Sequence, residues 1–360
     1  MKAYLVGGAV RDTLLGLEPK ERDFVVIGSS IDEMLKANFI KIGKTFPVFL
    51  HPHTKEEYAL ARTEKKTGKR HTDFVCDFSP SVTLEEDLFR RDLTINAIVI
   101  NDLGDIVDPF NGQKDIEARQ LRHISEAFCE DPLRILRVAR FLAQLSDFKF
   151  SVHPETHKMI KRMVEKRALL DISAERILIE MEKALSSNKP SVFFSYLDKV
   201  GATNTLWPEL KLKLEKTLDS IDKDATDARF CALLSSLKKN EIERFCQRLN
   251  MANKKRELAL LVNSEKAAWM NIGNASAADI INLLYRADAF RKRDRFMKFN
   301  TVCAALTDKN FEDIWTRLYL EARDTRLNTF ETKGIDGPGL GAKLKAKRIA
   351  QVKVKVKNGL

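Results

Sequence analysis

The sequence predicts an α+β chain, with a mixed-sheet head followed by an elongated, entirely helical remainder. Three observations predict it. Short β-rich runs alternate with turns through residues 1–125, helical periodicity takes over after Pro132, and 360 residues are too many for one hydrophobic core. A hydrophobic share of 44% beside 31% charged residues belongs to an ordinary globular chain. No run reaches the ~18 apolar residues of a membrane-spanning helix. Met1-Lys2-Ala3-Tyr4-Leu5-Val6 leads straight into Gly7-Gly8 without a signal-peptide core, so a cytoplasmic protein is expected.

In chain order, strands are expected at Ala3–Val6, Phe24–Ile27, Val48–Leu50, Tyr58–Ala61, Ala97–Ile100 and Ile106–Asp108, and these define a head over residues 1–125. Between two of them the run Arg62–Asp73 is polar throughout and reads as a mobile loop. Ile135, Val138, Ala139, Leu142 and Leu145 then share one helix face and open a helical neck over residues 126–208. Breaks at Pro190, Gly201, Pro208, Gly273 and Gly337-Pro338-Gly339 divide the rest into helical segments, with residues 209–360 as body and tail.

The five cysteines are widely spaced with no C-x-x-C pair, which excludes a disulfide framework or zinc site and makes them core thiols. Trp207, Trp269 and Trp315 sit among aliphatics and read as core. The net charge of +11 favours a polyanionic partner. From Lys333 onward, eight basic residues face Asp336 alone, a net +7. Leu340, Leu344, Ile349 and Val352 recur among them at helical spacing, giving a basic amphipathic helix whose Lys343, Lys345, Lys347 and Arg348 are expected to contact the phosphates of a nucleic-acid backbone.

Gly7-Gly8-Ala9-Val10-Arg11-Asp12 follows a strand and opens a helix, where missing side chains let a triphosphate approach backbone N–H groups. Glu21 and Asp23 stand two apart at the start of the next strand, a spacing that points both carboxylates to one face. Converging carboxylates repel unless a cation lies between them, and hard oxygens suit Mg²⁺. In Arg90-Arg91-Asp92-Leu93-Thr94-Ile95-Asn96, guanidinium forks suit phosphate while Asp92 and Asn96 suit ribose hydroxyls; an ordinary helix-end ion pair is the alternative. In Glu130-Asp131-Pro132-Leu133-Arg134-Ile135-Leu136-Arg137-Val138-Ala139-Arg140, a helix cap competes with a binding stripe. Asp131 and Arg134 are three apart, and Arg137 and Arg140 continue a row of cations that calls for an anion. An acceptor beside a donor fits the exocyclic amine and ring nitrogen of cytosine and adenine, and clashes with uracil and guanine.

Together these stretches resemble the class II tRNA nucleotidyltransferases, the CCA-adding enzymes of the polymerase β-like superfamily, in their bacterial form. Asp108-Pro109-Phe110-Asn111-Gly112 and Ile172-Ser173-Ala174-Glu175-Arg176 with Glu180 add to the match, which is strong over roughly the first 210 residues. The resemblance implies a nucleotidyltransferase head, neck, body and tail. It implies metal binding by Glu21 and Asp23, nucleotide contacts from Gly8, Arg11, Arg91, Asp92, Asp131, Arg134, Arg137 and Arg140, and tRNA, CTP and ATP as partners rather than DNA or membrane. Two departures stand out. The family's Asp-x-Asp begins here with Glu21, whose extra methylene moves the carboxylate by about 1.5 Å. All six histidines lie within the first 157 residues, so the HD phosphohydrolase domain carried by many bacterial relatives is not expected.

CCA addition has four rivals. An A-adding enzyme shares the same motifs. A poly(A) polymerase is disfavoured by Gly43-Lys44-Thr45-Phe46-Pro47, which lacks a second basic residue after the first, and a CC-only enzyme by the polar Arg62–Asp73 run. A silent RNA-binding protein is disfavoured by the intact carboxylates and arginines.

Overall fold

The computed structural model describes residues 1–43, 46–66, 74–210, 215–307, 309–333 and 336–357. They form two compact units, Met1–Met181 with Val192–Leu206, and Glu182–Ser191 with Trp207–Leu360. The first contains the expected head and most of the expected neck. Among the described residues, no helix is long and apolar enough to cross a membrane.

In the first unit, β1 (Lys2–Val6), β2 (Asp23–Ile27), β3 (Ile40–Lys41), β4 (Val48–Leu50) and β5 (Glu57–Leu60) are followed by a separate ribbon of β6 (Thr63–Lys66) and β7 (Phe74–Asp77), then by β8 (Val99–Ile100) and β9 (Ile106–Val107). Seven of them make one sheet in the order β3-β4-β5-β2-β1-β8-β9. It is mixed, because β2 and β5 run parallel while the other neighbouring pairs are antiparallel. Successive residues of a strand face opposite ways, so Val25 packs with Val6, Leu88 and Val99 on one side and Val26 with Met34, Phe49 and Leu60 on the other.

Part of the expected polar loop is regular: Thr63 to Lys66 pair antiparallel with Phe74 to Asp77. The polarity of Thr63-Glu64-Lys65-Lys66 hides this strand, while Phe74-Val75-Cys76 has the β-favouring residues of its partner. Residues 67–73 of that expected loop, and 44 and 45 of the Gly43–Pro47 run, lie outside the described residues. Residues 97 and 98 are also not strand, since a 3-10 turn over Thr94–Asn96 delays β8.

Helices α1 (Gly8–Leu14), α2 (Ile31–Lys36), α3 (Leu84–Phe89), α4 (Gly112–Glu117), α5 (Leu133–Gln144), α6 (Pro154–Glu165), α7 (Ala174–Leu185), α8 (Pro190–Lys199) and α9 (Thr203–Leu206) follow in chain order. Thr83 and Glu86 cap α3 reciprocally, which fixes where Asp87, Arg90 and Arg91 emerge. At α4, Asp108 accepts the Gly112 and Gln113 amides at 2.7 and 2.9 Å. A Cβ on Gly112 would meet the Thr94 carbonyl at 2.3 Å, so only glycine allows this close approach. The Asp108–Gly112 motif therefore holds α4 against the Thr94 turn.

The second unit is helical throughout its described residues, with α10 (Glu215–Ser220), α11 (Thr226–Leu234), α12 (Lys239–Arg248), α13 (Asn253–Met270), α14 (Ala277–Arg286), α15 (Arg293–Thr307), α16 (Glu312–Asp324), α17 (Thr329–Thr332) and α18 (Gly337–Lys357). All three tryptophans are buried here. The Trp269 indole donates to Asn300 Oδ1 at 2.7 Å and that of Trp315 to the Trp269 carbonyl at 3.1 Å. Cys231, Cys246 and Cys303 are buried, but Cys129 is exposed and Cys76 half-buried, so those two are not core thiols.

The basic C-terminus is a packed helix rather than a free stripe of cations. Asp336 caps α18 through the Gly339 amide, and Val352 is fully buried. Arg348 is a correction to the expected phosphate contacts. It is 8% exposed, stacks 3.6 Å from the Phe290 ring centroid and donates to the Ala322 carbonyl and the Tyr285 hydroxyl. Its planar guanidinium gains more from an aromatic face and two acceptors than from water. Lys347 pairs with Glu331 at 2.7 Å, and Lys343 donates to the Glu331 carbonyl. Lys345 lies 5.3 Å from the Tyr285 ring centroid. Deleting the tail would thus expose core. Alanines at Lys343, Lys345 and Lys353 test its charge instead, and are expected to lower the slope of log K for tRNA against log salt by about 0.7–0.9 per lost phosphate contact, with the unfolding temperature unchanged.

Candidate active site

The site is built where β1 ends. Gly7 turns the chain with φ of 76°, and α1 starts at Gly8, so its first amides are free of intrahelical partners. Asp23 opens β2 opposite Val6 on one side and Glu57 on the other. Glu21 precedes the strand, so its proximity to Asp23 comes from the incoming loop rather than from strand alternation. Burial first, then the charges of Glu57 and Glu21, push the Asp23 carboxyl above its usual range, while Arg91 pulls the other way. Three carboxylates sharing one field are what a hard cation relieves. Sequence reasoning missed Glu57; an acid opening a strand as Asp23 opens its own was the available signal. Among the described residues, no three His, Cys, Asp or Glu side chains gather closely enough to enclose a metal alone. One or two protein carboxylates in an all-oxygen set completed by water and other oxygen donors suit a hard divalent cation.

Around this edge the basic residues form one continuous network. Arg11 donates to Asn96 Oδ1 at 2.9 Å and to Asp12 at 2.7 Å. Asn96 donates to Asp92 Oδ1 at 3.1 Å, and Asp92 Oδ2 accepts from Arg137 Nε at 2.7 Å. Arg137 lies 3.9 Å from Glu180, which also accepts from Arg140 Nε at 2.5 Å. Asp92 is 6% exposed and ionised far below the usual carboxylate range: burial opposes its charge, but Arg137, Asn96 and Arg134 outweigh it. The sequence reading left the arginine row of α5 to be neutralised by an anion. Asp92 and Glu180 already neutralise much of it. Arg140 is 6% exposed and bonded to Glu180 and Gln144, and Asp92 is enclosed by its partners, so both lie inside the network rather than at an open ligand surface.

The expected base-reading pair stands at the start of α5. Asp131 is not on the helix. It is extended, with φ of −121°, and accepts the Leu133 amide at 3.1 Å, so it does cap the first turn. The same carboxylate accepts Arg176 in a fork at 3.1 and 2.7 Å. Arg134 donates to the Ala127 and Arg90 carbonyls at 2.9 and 2.5 Å. Arg91 reaches buried Asp87 at 3.1 Å, and its Nη1 passes 3.6 Å from where a Cβ on Gly7 would be. Gly8, Arg11, Arg91, Glu21 and Asp23 thus gather at the glycine turn, with Asp131, Arg134 and Arg137 at the head of α5.

Residues 3–122 match the family model of the poly A polymerase head domain, and residues 149–214 the one described as "Probable RNA and SrmB- binding site of polymerase A". A CCA-adding enzyme of Alteromonas mediterranea is 43% identical over 331 residues, covering 82% of this chain and 83% of its own. The chain belongs to the CCA-adding enzymes. A multifunctional CCA protein of Vibrio campbellii is 38% identical over 402 residues, covering 98% of this chain and 99% of its own. Among solved structures, an apo form of a CCA-adding enzyme shares the fold with a TM-score of 0.72 at 21% identity, covering 100% of this chain and 92% of that one. The Thermotoga maritima CCA-adding enzyme complexed with tRNA does so with a TM-score of 0.66 at 21% identity, covering 98% and 87%. CCA-adding enzymes are tRNA nucleotidyltransferases, and polymerase-type nucleotidyltransferases generally use divalent metal.

Proposed function

We propose that this chain builds the CCA end of tRNA from CTP and ATP, without a nucleic-acid template, by two-metal nucleotidyl transfer at Glu21 and Asp23. The observation that carries the reading is the fixed pair Asp131 and Arg134. Of about four acceptor sites on a carboxylate, the Leu133 amide and the Arg176 fork use three, leaving one on Oδ2. Arg134 spends two of its donors on carbonyls. What remains is one acceptor and a guanidinium edge, both held by protein, matching the amine and ring nitrogen shared by cytosine and adenine.

Gly8 and the first amides of α1 receive the triphosphate, with Arg11 and Arg91 beside it. Glu21 and Asp23 hold Mg²⁺, with Glu57 adding its charge to theirs. Held there by Glu21 and Asp23, divalent ions would supply Lewis acidity for the 3′-hydroxyl and neutralise the charge of the pyrophosphate. Arg137 is held between Asp92 and Glu180 and keeps the base-reading edge in place. Supplying tRNAs that end before, within and after CC with each triphosphate, and sequencing the products, tests the activity. Growth by A alone would favour the A-adding reading, and no growth would return the chain to an RNA-binding protein.

Nucleotide choice is expected to fall with Asp131→Ala. A mismatched buried contact costs roughly 1–3 kcal/mol, so the ratio of kcat/KM for CTP over UTP is expected to shrink about 5- to 150-fold. Arg137→Ala is expected to lower all four triphosphates more evenly. An undiminished CTP preference in Asp131→Ala would leave Asp131 as a helix cap alone.

A further inference from the structure

Asp87 lies outside every motif discussed so far, yet it is fully buried at the end of α3. Its Oδ1 accepts from Arg90 Nη2 at 2.8 Å, Arg90 Nε at 3.1 Å and the Arg62 amide at 3.1 Å. Its Oδ2 accepts from Arg91 Nη2 at 3.1 Å and Arg91 Nε at 3.4 Å. One carboxylate therefore holds two neighbouring arginines that leave in different directions. Arg91 passes beside Gly7, and its charge reaches Asp23. Arg90 donates to Glu64 and to the Arg62 carbonyl at the root of the β6-β7 ribbon, and its own carbonyl receives Arg134 at 2.5 Å.

We propose that Asp87 is a positioning residue that sets the phosphate side and the base-reading side of the site together, Arg91 directly and Arg134 through the Arg90 backbone. The inference rests on the triphosphate-side role given above to Arg91 and the base-reading role given to Arg134. Its physical basis is the stiffness of a buried carboxylate with five donors. A guanidinium held by charge-assisted bonds loses rotamer freedom before the nucleotide arrives, so less is lost on binding. The Arg90 carbonyl is held from the backbone side, where Arg90 closes α3 in helical conformation, and the bonds of its side chain to Asp87, Glu64 and the Arg62 carbonyl anchor the residue from its other end. Arg134 then meets a fixed acceptor.

Asp87→Asn keeps the size and removes the charge. The expected result is a KM for CTP raised about tenfold or more together with a CTP over UTP ratio reduced about tenfold, at an unchanged KM for tRNA, since one charge-assisted bond corresponds to roughly ten- to 150-fold. Arg90→Gln separates the two branches, because Arg91 keeps its partner. There the discrimination ratio is expected to fall while the KM for CTP stays within about twofold. A lower unfolding temperature with KM and discrimination as in the unchanged protein would overturn the proposal and make Asp87 purely structural. If Asp87→Asn does not fold, Arg90→Gln decides alone, and unaltered discrimination in it overturns the link to Arg134. Arg134→Ala in the same assay keeps the two readings apart. If it leaves discrimination intact, the base-reading assignment fails first; if it loses discrimination and the Asp87 and Arg90 variants do not, only the positioning role fails.

Discussion

Asp23→Ala is expected to lower the rate of nucleotide addition by at least about 10²-fold while tRNA affinity changes little. Charge stabilisation by a bound cation is worth several kcal/mol in the transition state, and each ~1.4 kcal/mol is tenfold in rate. RNA docking is a separate matter of phosphates and basic side chains. Stability is expected to hold or rise, because the substitution removes a carboxylate whose charge is opposed first by desolvation and then by Glu57 and Glu21. Single-turnover addition and a tRNA titration on the same preparation check both halves. More than a few per cent of the original rate would remove Asp23 from the chemistry. Because its carboxyl is raised, protons compete with the divalent ion at a higher pH than for an ordinary aspartate, so the metal concentration needed for half-maximal rate is expected to climb as pH falls.

Asp92→Ala carries the largest expected effect on stability. It leaves Arg137 without its closest partner and Asn96 without its acceptor, and removing one member of a buried ion pair costs about 3–5 kcal/mol. The sign with pH follows from the depressed carboxyl. A group ionised far below its unfolded value contributes stability that is complete above an unfolded pKa of about 3.9 and lost only as pH falls through the lower folded value. The gap between the unchanged protein and the variant is therefore expected to be flat from about pH 5 to 8 and to close only in stronger acid. Denaturant unfolding followed by far-UV circular dichroism at several pH values measures it. A gap that narrows already at pH 6 would show that Asp92 is not the group responsible.

The sheet was legible from β-rich runs between turns, and so was the change to helices, because both are local patterns. Val48–Leu50 even has the expected bounds. The acid at the start of β5 was visible, but not that it faces Asp23, because only the parallel register of β2 with β5 brings Glu57 opposite that residue 34 positions earlier, and a single sequence carries no register for strands so far apart. The arginine row of α5 was seen to need negative charge, but its source was not, since Asp92 and Glu180 arrive from 45 positions before and 43 after Arg137. Arg348 misled for a different reason. Basic residues on an amphipathic helix are normally placed by their charge, and here the flat guanidinium is placed by an aromatic ring.

The three buried tryptophans bear on how this protein can be watched. All of them lie in the unit containing Trp207–Leu360, and the unit that holds the glycine turn, Asp23 and α5 has none. Intrinsic indole emission therefore arises from the helical unit. Events at the catalytic unit, including the loss of structure expected from Asp92→Ala, leave that light unaltered unless the second unit responds as well. A red-shift of emission at lower denaturant than the fall in circular dichroism would mean that the tryptophan-bearing unit opens first; the reverse order would mean that it outlasts the unit that does the chemistry. A single indole introduced at an exposed position of the first unit, such as Phe89→Trp, would give each half of the molecule its own optical signal.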